Sequence, residues 1–277
     1  MAKENLVWLY GQVLHTPKIS VQRDGTLKRG KFALKVARTH RRDSNNTVPQ
    51  MIYDTPYIIT DNVNLLTEMA SIEKGDIVLV KGTYSTTNCV KTTTCPCGKK
   101  NKLPGGVVSF VHPIFINVIK HCSEEDGDRE LRECLEISNV VRIIGNLCTD
   151  PQLYEGPNGA VTQYSIAVGR KYHIKEQNNN INTDFPWIKT YGEQAAMDAK
   201  ALKTGSCILI DGALQTRSVK RTTVCEHCGR EYDWTDAAME LIPYSVEYLY
   251  GHNTDEEIAE KEEENIREIL RNAGVTS

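Results

Sequence analysis

The sequence contains no apolar run that approaches the roughly 20 residues needed to cross a bilayer. Its first ten residues also lack the apolar core and small-residue cleavage site of a secretory signal, and they are typical of a first β-strand. We therefore expect a cytoplasmic protein that makes no contact with a membrane.

Motifs that mark common enzyme classes are missing as well. The chain has no P-loop, no glycine-rich dinucleotide fingerprint, no nucleophile elbow and no HExxH, and its carboxylates form no recognisable catalytic pair. We therefore expect that the protein is not an enzyme.

Disulfide bonds are not expected, although the chain has nine cysteines. The count is odd and the expected compartment is reducing, which argues against a disulfide framework. Cys148 and Cys207 fit the interior of strands as small apolar side chains. The close pairs Cys95/Cys97 and Cys225/Cys228 need another explanation.

The net charge is only −3, but charge is unevenly distributed along the chain. Residues 1–120 carry 17 Lys and Arg against 8 Asp and Glu, a balance of +9. Residues 121–137 carry 2 against 7, and residues 251–277 carry 3 against 8. A basic first half beside acidic segments favours a polyanionic partner, and random surface scatter is the alternative.

Five sequence blocks occur twice in the same order, 130 to 134 residues apart. The first copies begin at residues 5, 32, 54, 74 and 92, and the second copies begin at residues 139, 164, 184, 204 and 222. Chance similarity would not keep this order, so the chain is interpreted as two tandem copies of one domain.

Each copy has the same predicted order of elements. Three strands with alternating apolar residues precede a short helix, and two strands joined by a long polar hairpin follow it. The helices are predicted at about 62–73 and about 193–203, ended by Gly75 and Gly205. This is the order of the OB-fold, a five-stranded Greek-key barrel, and the helix distinguishes it from a β-sandwich.

The expected fold is therefore mainly β, with two tandem OB-fold barrels, a linker helix and a C-terminal helix. The predicted boundaries are 1–120 for the first barrel, with its cysteine hairpin at 83–106, and 121–137 for an acidic linker helix. The second barrel is predicted at 138–250, with its hairpin at 217–236. Residues 251–277 form an acidic tail whose helix packs on a barrel, packs on a second chain or stays in solvent.

Six segments of the second copy occur in the order of one known family: 139–151, 157–159, 164–170, 183–192, 202–205 and 211–217. In these segments the chain resembles the bacterial-type single-stranded DNA-binding protein family, and the first copy is similar at fewer positions. The resemblance implies OB-folds, sequence-tolerant binding of single-stranded DNA and assemblies that display four barrels. The family's acidic tip with a terminal Pro-Phe is absent, and the hairpin cysteine pairs are a second departure.

The third strand of the second copy carries the candidate binding face. Alternation along a strand places on one face the side chains of Phe185, Trp187, Lys189 and Tyr191. An unpaired buried lysine is costly, so this face is predicted to point outward, where rings stack on bases; a face in the barrel core is the alternative. The resemblance places Phe185, Tyr191 and Tyr172 at base-stacking positions of the family, and Val219 at a fourth position without a ring.

Basic residues around this face are candidates for a phosphate path. In the second copy these are Arg170, Arg217, Lys220 and Arg221. The first copy has a single aromatic residue, Tyr57, on the equivalent face, but it carries the positive charge, including Arg38, His40, Arg41 and Arg42. We interpret the first copy as contributing phosphate contacts more than stacking, with a role in assembly as the alternative.

The cysteine pairs fit a metal site. Cys225-Glu-His-Cys228-Gly has the spacing of a zinc knuckle, and Cys95-Pro-Cys97-Gly resembles it with one residue fewer. Structural zinc takes four ligands, so both hairpins are predicted to meet in one four-thiolate zinc site that clamps two barrels or two chains. Cys89 and His227 are candidate substitutes, and free surface thiols are the alternative.

The leading hypothesis is sequence-tolerant binding and protection of single-stranded DNA in replication, recombination or DNA transfer, with a phage or mobile element as a candidate source. RNA is an alternative ligand, because stacking does not inspect the sugar. The competing hypothesis is an interaction subunit of a nucleic-acid-processing complex, built from OB barrels and zinc hairpins. Two barrels per chain favour a homodimer or higher homo-oligomer, and replication or recombination proteins are candidate partners.

Overall fold

A computed structural model describes residues 3–39, 51–103, 105–157, 159–170 and 183–272. The first barrel contains strands β1 (Asn5–Val13), β2 (Lys18–Val21), β3 (Leu27–Thr39), β4 (Met51–Asp54), β5 (Tyr57–Thr60), β6 (Asp76–Cys89) and β9 (Gly106–His121). Helix α1 (Val63–Met69) precedes β6, and the short strands β7 (Thr92–Thr94) and β8 (Lys100–Lys102) form the hairpin between β6 and β9.

A linker of two helices, α2 (Glu124–Glu133) and α3 (Leu135–Ser138), leads into the second barrel. That barrel contains β10 (Asn139–Leu147), β11 (Gln152–Gly156), β12 (Gly159–Gly169), β13 (Thr183–Asp184), β14 (Trp187–Tyr191), α4 (Gly192–Ala201), β15 (Cys207–Val224) and β16 (Glu231–Tyr250). Helix α5 (Asp255–Asn272) follows. No helix in these parts of the chain is long and apolar enough to cross a membrane.

The same pairings close both barrels. In the first, β1 pairs with β3 and β6, β6 pairs with β9, and β5 runs parallel to β9. In the second, β10 pairs with β12 and β15, β15 pairs with β16, and β14 runs parallel to β16. The predicted mainly β, OB-fold class is confirmed.

Apolar residues that alternate along these strands fill the barrels. Ile58 and Tyr84 in the first barrel, like Tyr164 and Ile188 in the second, are fully buried. Burial of one large apolar side chain contributes roughly 1.5–3 kcal/mol, so these positions hold each barrel closed.

A proline splits the predicted third strand in both copies. Pro56 lies between β4 and β5, and Pro186 lies between β13 and β14. Proline has no N–H for the strand ladder, so pairing with β3 and β12 is interrupted at that residue. The aspartates just before the breaks, Asp54 and Asp184, are buried.

The helices α1 and α4 end earlier than predicted. Gly75 and Gly205, which were expected to end them, lie in the turns into β6 and β15 with φ angles of 97° and 88°. Only glycine adopts such angles readily, so each glycine allows the turn into the next strand and does not cap the helix.

The two barrels join edge to edge through β1 and β10. These strands pair antiparallel with Val7 opposite Val141, and with Leu9 opposite Asn139. Asn5, the equivalent of Asn139, exchanges two hydrogen bonds with the backbone of Tyr84, and Asn139 exchanges two with Leu214. Equivalent residues make equivalent contacts, so a local two-fold axis relates the barrels.

The linker packs on the first barrel. Leu131 of α2 is buried against Tyr10 and Ile77. A Cβ atom at Gly127 would lie 2.3 Å from the end of the Gln12 side chain, so α2 lies against Gln12 and a larger residue would displace that side chain. The acidic helix is therefore part of the first barrel's structure and not a free connector.

Candidate nucleic-acid interface

Three aromatic side chains project from β14 and the residue pair before it. Phe185, Trp187 and Tyr191 are 48%, 43% and 38% exposed, and Lys189 between them is partly exposed. Ile188 on the opposite face is fully buried. We call Phe185, Trp187, Lys189 and Tyr191 the aromatic platform; its rings and its cation face solvent, where they can stack on bases and meet phosphates.

Burial is the main cause of the raised pKa of Tyr191. Burial raises the pKa of its phenol, and the nearby Glu240 carboxylate raises it further. Glu240 is itself held by Arg217, whose Nε and terminal nitrogen donate to the two carboxylate oxygens at 3.0 and 2.6 Å. Arg217 still exposes 39% of its side chain, so it can face a phosphate while it holds Glu240.

Lys220 and Arg221 continue along β15 beyond the platform. Both side chains are exposed, and within the described residues neither forms a salt bridge with a carboxylate. They are placed where a phosphate chain leaving the platform would meet cations.

Arg38 and Arg170 are placed differently from the prediction. Arg38 Nε donates to Asp54 at 2.6 Å and Arg170 Nε donates to Asp184 at 2.7 Å, and the arginine side chains are only 9% and 8% exposed. A buried cation needs its paired anion, so these guanidinium groups are committed to carboxylates. The structure shows each side chain paired with an aspartate, and the phosphate-path role of both residues stays a prediction.

The two aspartates also join the barrels. Asp54 accepts a hydrogen bond from the Thr216 N–H of the other barrel at 2.6 Å, and Asp184 accepts one from the Thr86 N–H at 2.7 Å. Each arginine thus orients a carboxylate that bonds across the interface. Sequence reasoning used Asp54 and Asp184 only as markers of the repeat and missed this role.

The first barrel presents a different face at the equivalent positions. Tyr57 occupies the place of Trp187 and is 47% exposed, whereas Ile59 and Asp61 stand where the platform has Lys189 and Tyr191. The other predicted residues, Tyr172, His40, Arg41 and Arg42, lie outside the described residues.

The four cysteines predicted as metal ligands meet at the tips of the two hairpins. The Sγ atoms of Cys95, Cys97, Cys225 and Cys228 all lie within 4.8 Å of one another. The Cys95–Cys228 and Cys97–Cys225 sulfur distances are both 3.8 Å. Cys89 and His227, the candidate substitutes, are not members of this group. The cluster is close enough to bind a metal ion.

Asn101 supports this cluster from β8. Its Nδ2 donates to Cys225 Sγ at 3.3 Å and to the Tyr232 hydroxyl at 2.9 Å, and its Oδ1 accepts from the Glu226 N–H at 3.1 Å. Asn101 and Tyr232 each stand three residues after the glycine of their hairpin. Sequence reasoning missed both, although this equivalent spacing was a usable signal.

Hydrogen bonds and burial shift the pKa values of two thiols of the cluster in opposite directions. Burial opposes ionisation of Cys225, but hydrogen bonds from Asn101 and from the backbone N–H groups of His227 and Cys228 outweigh it and lower its pKa to about 6. Burial raises the pKa of Cys95 to about 12. A bound cation would let both thiols ionise together.

Contacts below the tips also hold the hairpins together. Lys91 Nζ donates to Asp236 Oδ1 at 2.5 Å, and the Tyr84 hydroxyl donates to the Met239 carbonyl at 2.9 Å. The two hairpins therefore form one double ribbon that extends from the joined barrels.

Sequence comparisons find known proteins that are similar to the second barrel. Residues 138–229 match the profile of the Single-strand binding protein family. Single-stranded DNA-binding protein A of Bacillus subtilis is 40% identical over 81 residues, which are 29% of this chain and 46% of that protein. The single-stranded DNA-binding protein of Staphylococcus epidermidis is 29% identical over 83 residues, 30% of this chain and 62% of that protein. The match thus spans less than two thirds of either relative.

A solved structure resembles nearly the whole chain. A deletion variant of the single-stranded DNA binding protein from Thermus aquaticus superposes on 92% of this chain and 100% of its own length, with a TM-score of 0.58 and 18% sequence identity. At this identity the likeness concerns the fold, which extends across both barrels.

Proposed function

We propose that the chain binds single-stranded DNA and catalyses no reaction on it, a proposal supported by the match of residues 138–229 to the Single-strand binding protein family. The observation that carries this proposal is the aromatic platform, with three exposed rings and a lysine on one face. Stacking of a base on such a ring contributes about 1–3 kcal/mol and does not depend on base identity. In a duplex the base faces are covered, so a preference for single strands follows.

We also propose that the cations around the platform contact the phosphates of the bound strand. Lys189 lies on β14, and Arg217, Lys220 and Arg221 lie on β15, with β16 between the two strands; each exposes part of its side chain. Contacts from Lys and Arg to phosphates make binding weaker as salt rises. A strand that stacks on the platform would therefore continue along β15 toward the double ribbon.

A triple alanine variant of Phe185, Trp187 and Tyr191 tests the platform. We expect its affinity for fluorescently labelled oligo-dT to fall by at least about 100-fold, since each stacked ring contributes about 1–3 kcal/mol. The matched control replaces Phe115 and Tyr250, two exposed rings outside the platform, and should bind as the parent does. A folded platform variant with parental affinity would remove the basis of this function.

We propose that this binding protects single strands during replication, recombination or DNA transfer, in a phage or mobile element among other settings. The platform does not touch the sugar in this mode, so single-stranded RNA is a second ligand to measure. Oligo-dT and oligo-U of equal length, compared at one salt concentration, decide the preference.

We also propose that Cys95, Cys97, Cys225 and Cys228 hold one structural zinc ion. Zinc bound to four thiolates at about 2.3 Å in a tetrahedron places the sulfurs about 3.8 Å apart. Two of the sulfur pairs have this separation. The Asn101 amide, which donates to Cys225 Sγ, suits a ligand that carries negative charge.

Metal analysis of the purified chain tests this site. We expect about one zinc per chain, and loss of the metal when Cys95 and Cys225 are both replaced by serine. The control replaces Cys134 and Cys148, which lie outside the cluster, and should keep the metal. A parent protein with less than about half a zinc per chain would end the proposal.

Helix α5 favours a second role in protein contacts. Its apolar residues Ile266, Ile269 and Leu270 are exposed although they lie on an ordered helix. Exposed apolar side chains grouped on one element are typical of an interaction surface, including one between two copies of the chain. Sedimentation of the full chain and of a chain that ends at residue 254 shows whether α5 joins copies: a smaller assembly after truncation supports this, and an unchanged one contradicts it.

A further inference from the structure

Helices α2 and α5 are equivalent elements of the two copies. They begin 131 residues apart, at positions 124 and 255, which agrees with the offset of the sequence repeat. At the start of α2, Ser123 Oγ accepts from the Asp126 N–H at 3.1 Å, and at the start of α5, Thr254 Oγ1 accepts from the Glu257 N–H at 3.2 Å. Both helices therefore begin with the same capping arrangement after the last strand of their barrel.

The residues that hold α2 on the first barrel are replaced in α5. Leu131, which is buried on that barrel, corresponds to Glu262, whose carboxylate pairs with Lys200 of α4 at 2.7 Å. Gly127, where α2 lies against the barrel, corresponds to the larger Ile258. A carboxylate in place of a buried leucine carries a large desolvation cost, so α5 does not dock on the second barrel as α2 docks on the first.

The cations that bind α2 are also replaced on the second barrel. Lys35 and Lys120 each pair with a carboxylate of α2. Strand register makes Ala167 the equivalent of Lys35 and Tyr250 the equivalent of Lys120. The acidic first half of α5 therefore meets no matching cation at these two positions.

The surface that α2 covers on the first barrel has an open counterpart on the second. Helix α2 packs on Tyr10 and Leu79, whose equivalents by register are the partly exposed Ile144 and Leu209. Val140 and Trp8, which pair across β10 and β1, are partly exposed on the same side of the sheet. This surface continues the contact surface of α2, since β6, β1, β10 and β15 are neighbours in one sheet. We call it the open sheet face and define it by Trp8, Val140, Ile144 and Leu209.

Helix α5 presents a second surface without apolar cover. None of its side chains is buried, and its first half contacts α4 through the exposed salt bridges Lys203–Glu257 and Lys200–Glu262, which contribute little stability. Ile266, Ile269 and Leu270 lie on one side of its last turns at i, i+3 and i+4 spacing, and they are 57%, 66% and 44% exposed. At 1.5 Å per residue, Ile269 lies about 10 Å along the axis beyond Glu262, so this stripe extends past the contacts with α4.

We propose that the open sheet face of one copy binds the last turns of α5 from a second copy, with Ile269 and Leu270 against Ile144 and Leu209. This inference rests on the role in joining copies that is proposed for α5 above. The second copy supplies the helix because α5 of the same chain is tied to α4 through its first half. Each chain offers one stripe and one face, so two chains that exchange α5 around a two-fold axis cover both surfaces of both chains.

The charges favour the last turns of α5 over its first half. Glu247 lies opposite Leu209 on β16 and is exposed beside the open sheet face. Arg271, in the last turn of α5, is exposed and forms no salt bridge within the residues that the structure describes. A cation at the end of the helix therefore meets an anion at the edge of the face, whereas on the first barrel cations of the sheet meet anions of α2.

Complementation between two variants tests this contact. The helix variant Ile269→Asp/Leu270→Asp changes the stripe, and the face variant Ile144→Thr/Leu209→Thr changes the face without touching the barrel core. We expect each variant alone to raise the dissociation constant of the full-chain dimer at least about tenfold in analytical ultracentrifugation, because each contact occurs twice. An equal mixture should form a heterodimer tighter than either variant alone, because the intact helix of the face variant meets the intact face of the helix variant.

The other arrangements give different results in the same experiment. Contact between two α5 helices would leave the face variant as dimeric as the parent, and contact between two sheet faces would leave the helix variant so; either result would overturn the proposal. Weakening of both variants without recovery in the mixture would also overturn it, as would a parent chain that stays monomeric. The control Phe115→Thr/Ile119→Thr changes two exposed residues of β9 and should dissociate as the parent does.

Photo-cross-linking locates the helix directly. Benzophenylalanine is placed at residue 269 of the full chain, and unlabelled chains are mixed with ¹⁵N-labelled chains. We expect links between a labelled and an unlabelled chain at the β10 or β15 peptides that contain Ile144 or Leu209. Links confined to one chain, or links to other elements, would overturn the docking site.

Failure of this docking site is distinguishable from failure of the proposals on which it rests. If the chain that ends at residue 254 forms a smaller assembly but the links map elsewhere, α5 joins copies at another site and only the present inference is wrong. If truncation leaves the assembly unchanged, the role of α5 in joining copies is wrong as well. The helix variant should keep the parental affinity per chain for a short oligo-dT, since its changes lie outside the aromatic platform.

Discussion

The two barrels share the residues that join them and differ in the residues that face solvent. Equivalent joining residues are Val7 and Val141, Asp54 and Asp184, and Thr86 and Thr216, and the equivalent residues Arg38 and Arg170 orient the two aspartates. On the outer face of the third strand, by contrast, Thr55, Tyr57, Ile59 and Asp61 stand against Phe185, Trp187, Lys189 and Tyr191. The joining contacts are made twice around one local axis, so each copy must supply both halves of every contact.

The outer faces are free of that constraint. A strand that crosses a two-barrel surface meets each face once, so one face can carry three rings and the other a single ring without loss of fit. The difference indicates that residues at the interface are constrained by the contacts between the barrels. Residues on the outer faces are not, so the two barrels can contribute differently to binding.

The largest effect is expected where the joining contacts are cut. Asp184→Asn removes the charge that a buried Arg170 requires, so we expect a loss of about 3–5 kcal/mol in the free energy of unfolding. Asp54→Asn should cost a similar amount, because its contacts are equivalent. Urea unfolding of both variants measures these losses.

A surface pair provides the matched control. Asp211→Asn cuts the salt bridge of Asp211 with Arg142, whose side chains are 39% and 54% exposed, and should cost at most about 1 kcal/mol. If Asp184→Asn costs no more than Asp211→Asn, the buried pairs do not hold the interface. If Asp54→Asn and Asp184→Asn lower the free energy of unfolding by very different amounts, the two equivalent contacts do not stabilise the protein equally.

An intermediate effect is expected from moving the platform to the first barrel. The variant Thr55→Phe/Ile59→Lys/Asp61→Tyr gives the first barrel the side chains of the second at three equivalent positions. Its affinity for oligo-dT should rise by about 1–3 kcal/mol for each new ring that stacks. Fluorescence anisotropy titration with an oligonucleotide long enough to cover both barrels measures the gain.

Backbone geometry makes this exchange reasonable. The Thr55 N–H donates to the Thr216 hydroxyl at 2.8 Å, just as the Phe185 N–H donates to the Thr86 hydroxyl, so a ring at residue 55 would start from an equivalent backbone. The same three changes at Val21, Val63 and Val90, exposed positions elsewhere on the first barrel, give a control for added rings and charge. Equal affinity of both variants would show that position on the third strand does not matter.

Sequence patterns were sufficient for features that depend on local periodicity or repetition. The alternation around Ile188 predicted which side chains of β14 point outward, and the repeated cysteine pairs predicted a shared cluster. Both follow from the geometry of a strand and from the equivalence of two copies.

Features that depend on tertiary pairing were not predictable. From the sequence alone, Arg170 is predicted to be exposed. Its partner, Asp184, becomes a neighbour only when β12 pairs with β13. The contact between α2 and the first barrel likewise requires the folded surface that contains Tyr10.

The smallest effect concerns the cations, and it separates exposed from buried positive charge. Replacing Lys220 and Arg221 by alanine should lower the slope of log affinity against log salt by about 1.4, since each lost phosphate contact on a single strand is worth about 0.7. Arg38→Ala should leave that slope unchanged, because its guanidinium is bound to Asp54 inside the interface. Titrations of oligo-dT at several salt concentrations measure both slopes, with stability recorded separately because Arg38→Ala also uncovers a buried carboxylate. The opposite result is a lower slope in Arg38→Ala and a parental slope in the Lys220 and Arg221 variant. It would show that Arg38 contacts phosphate and that Lys220 and Arg221 do not.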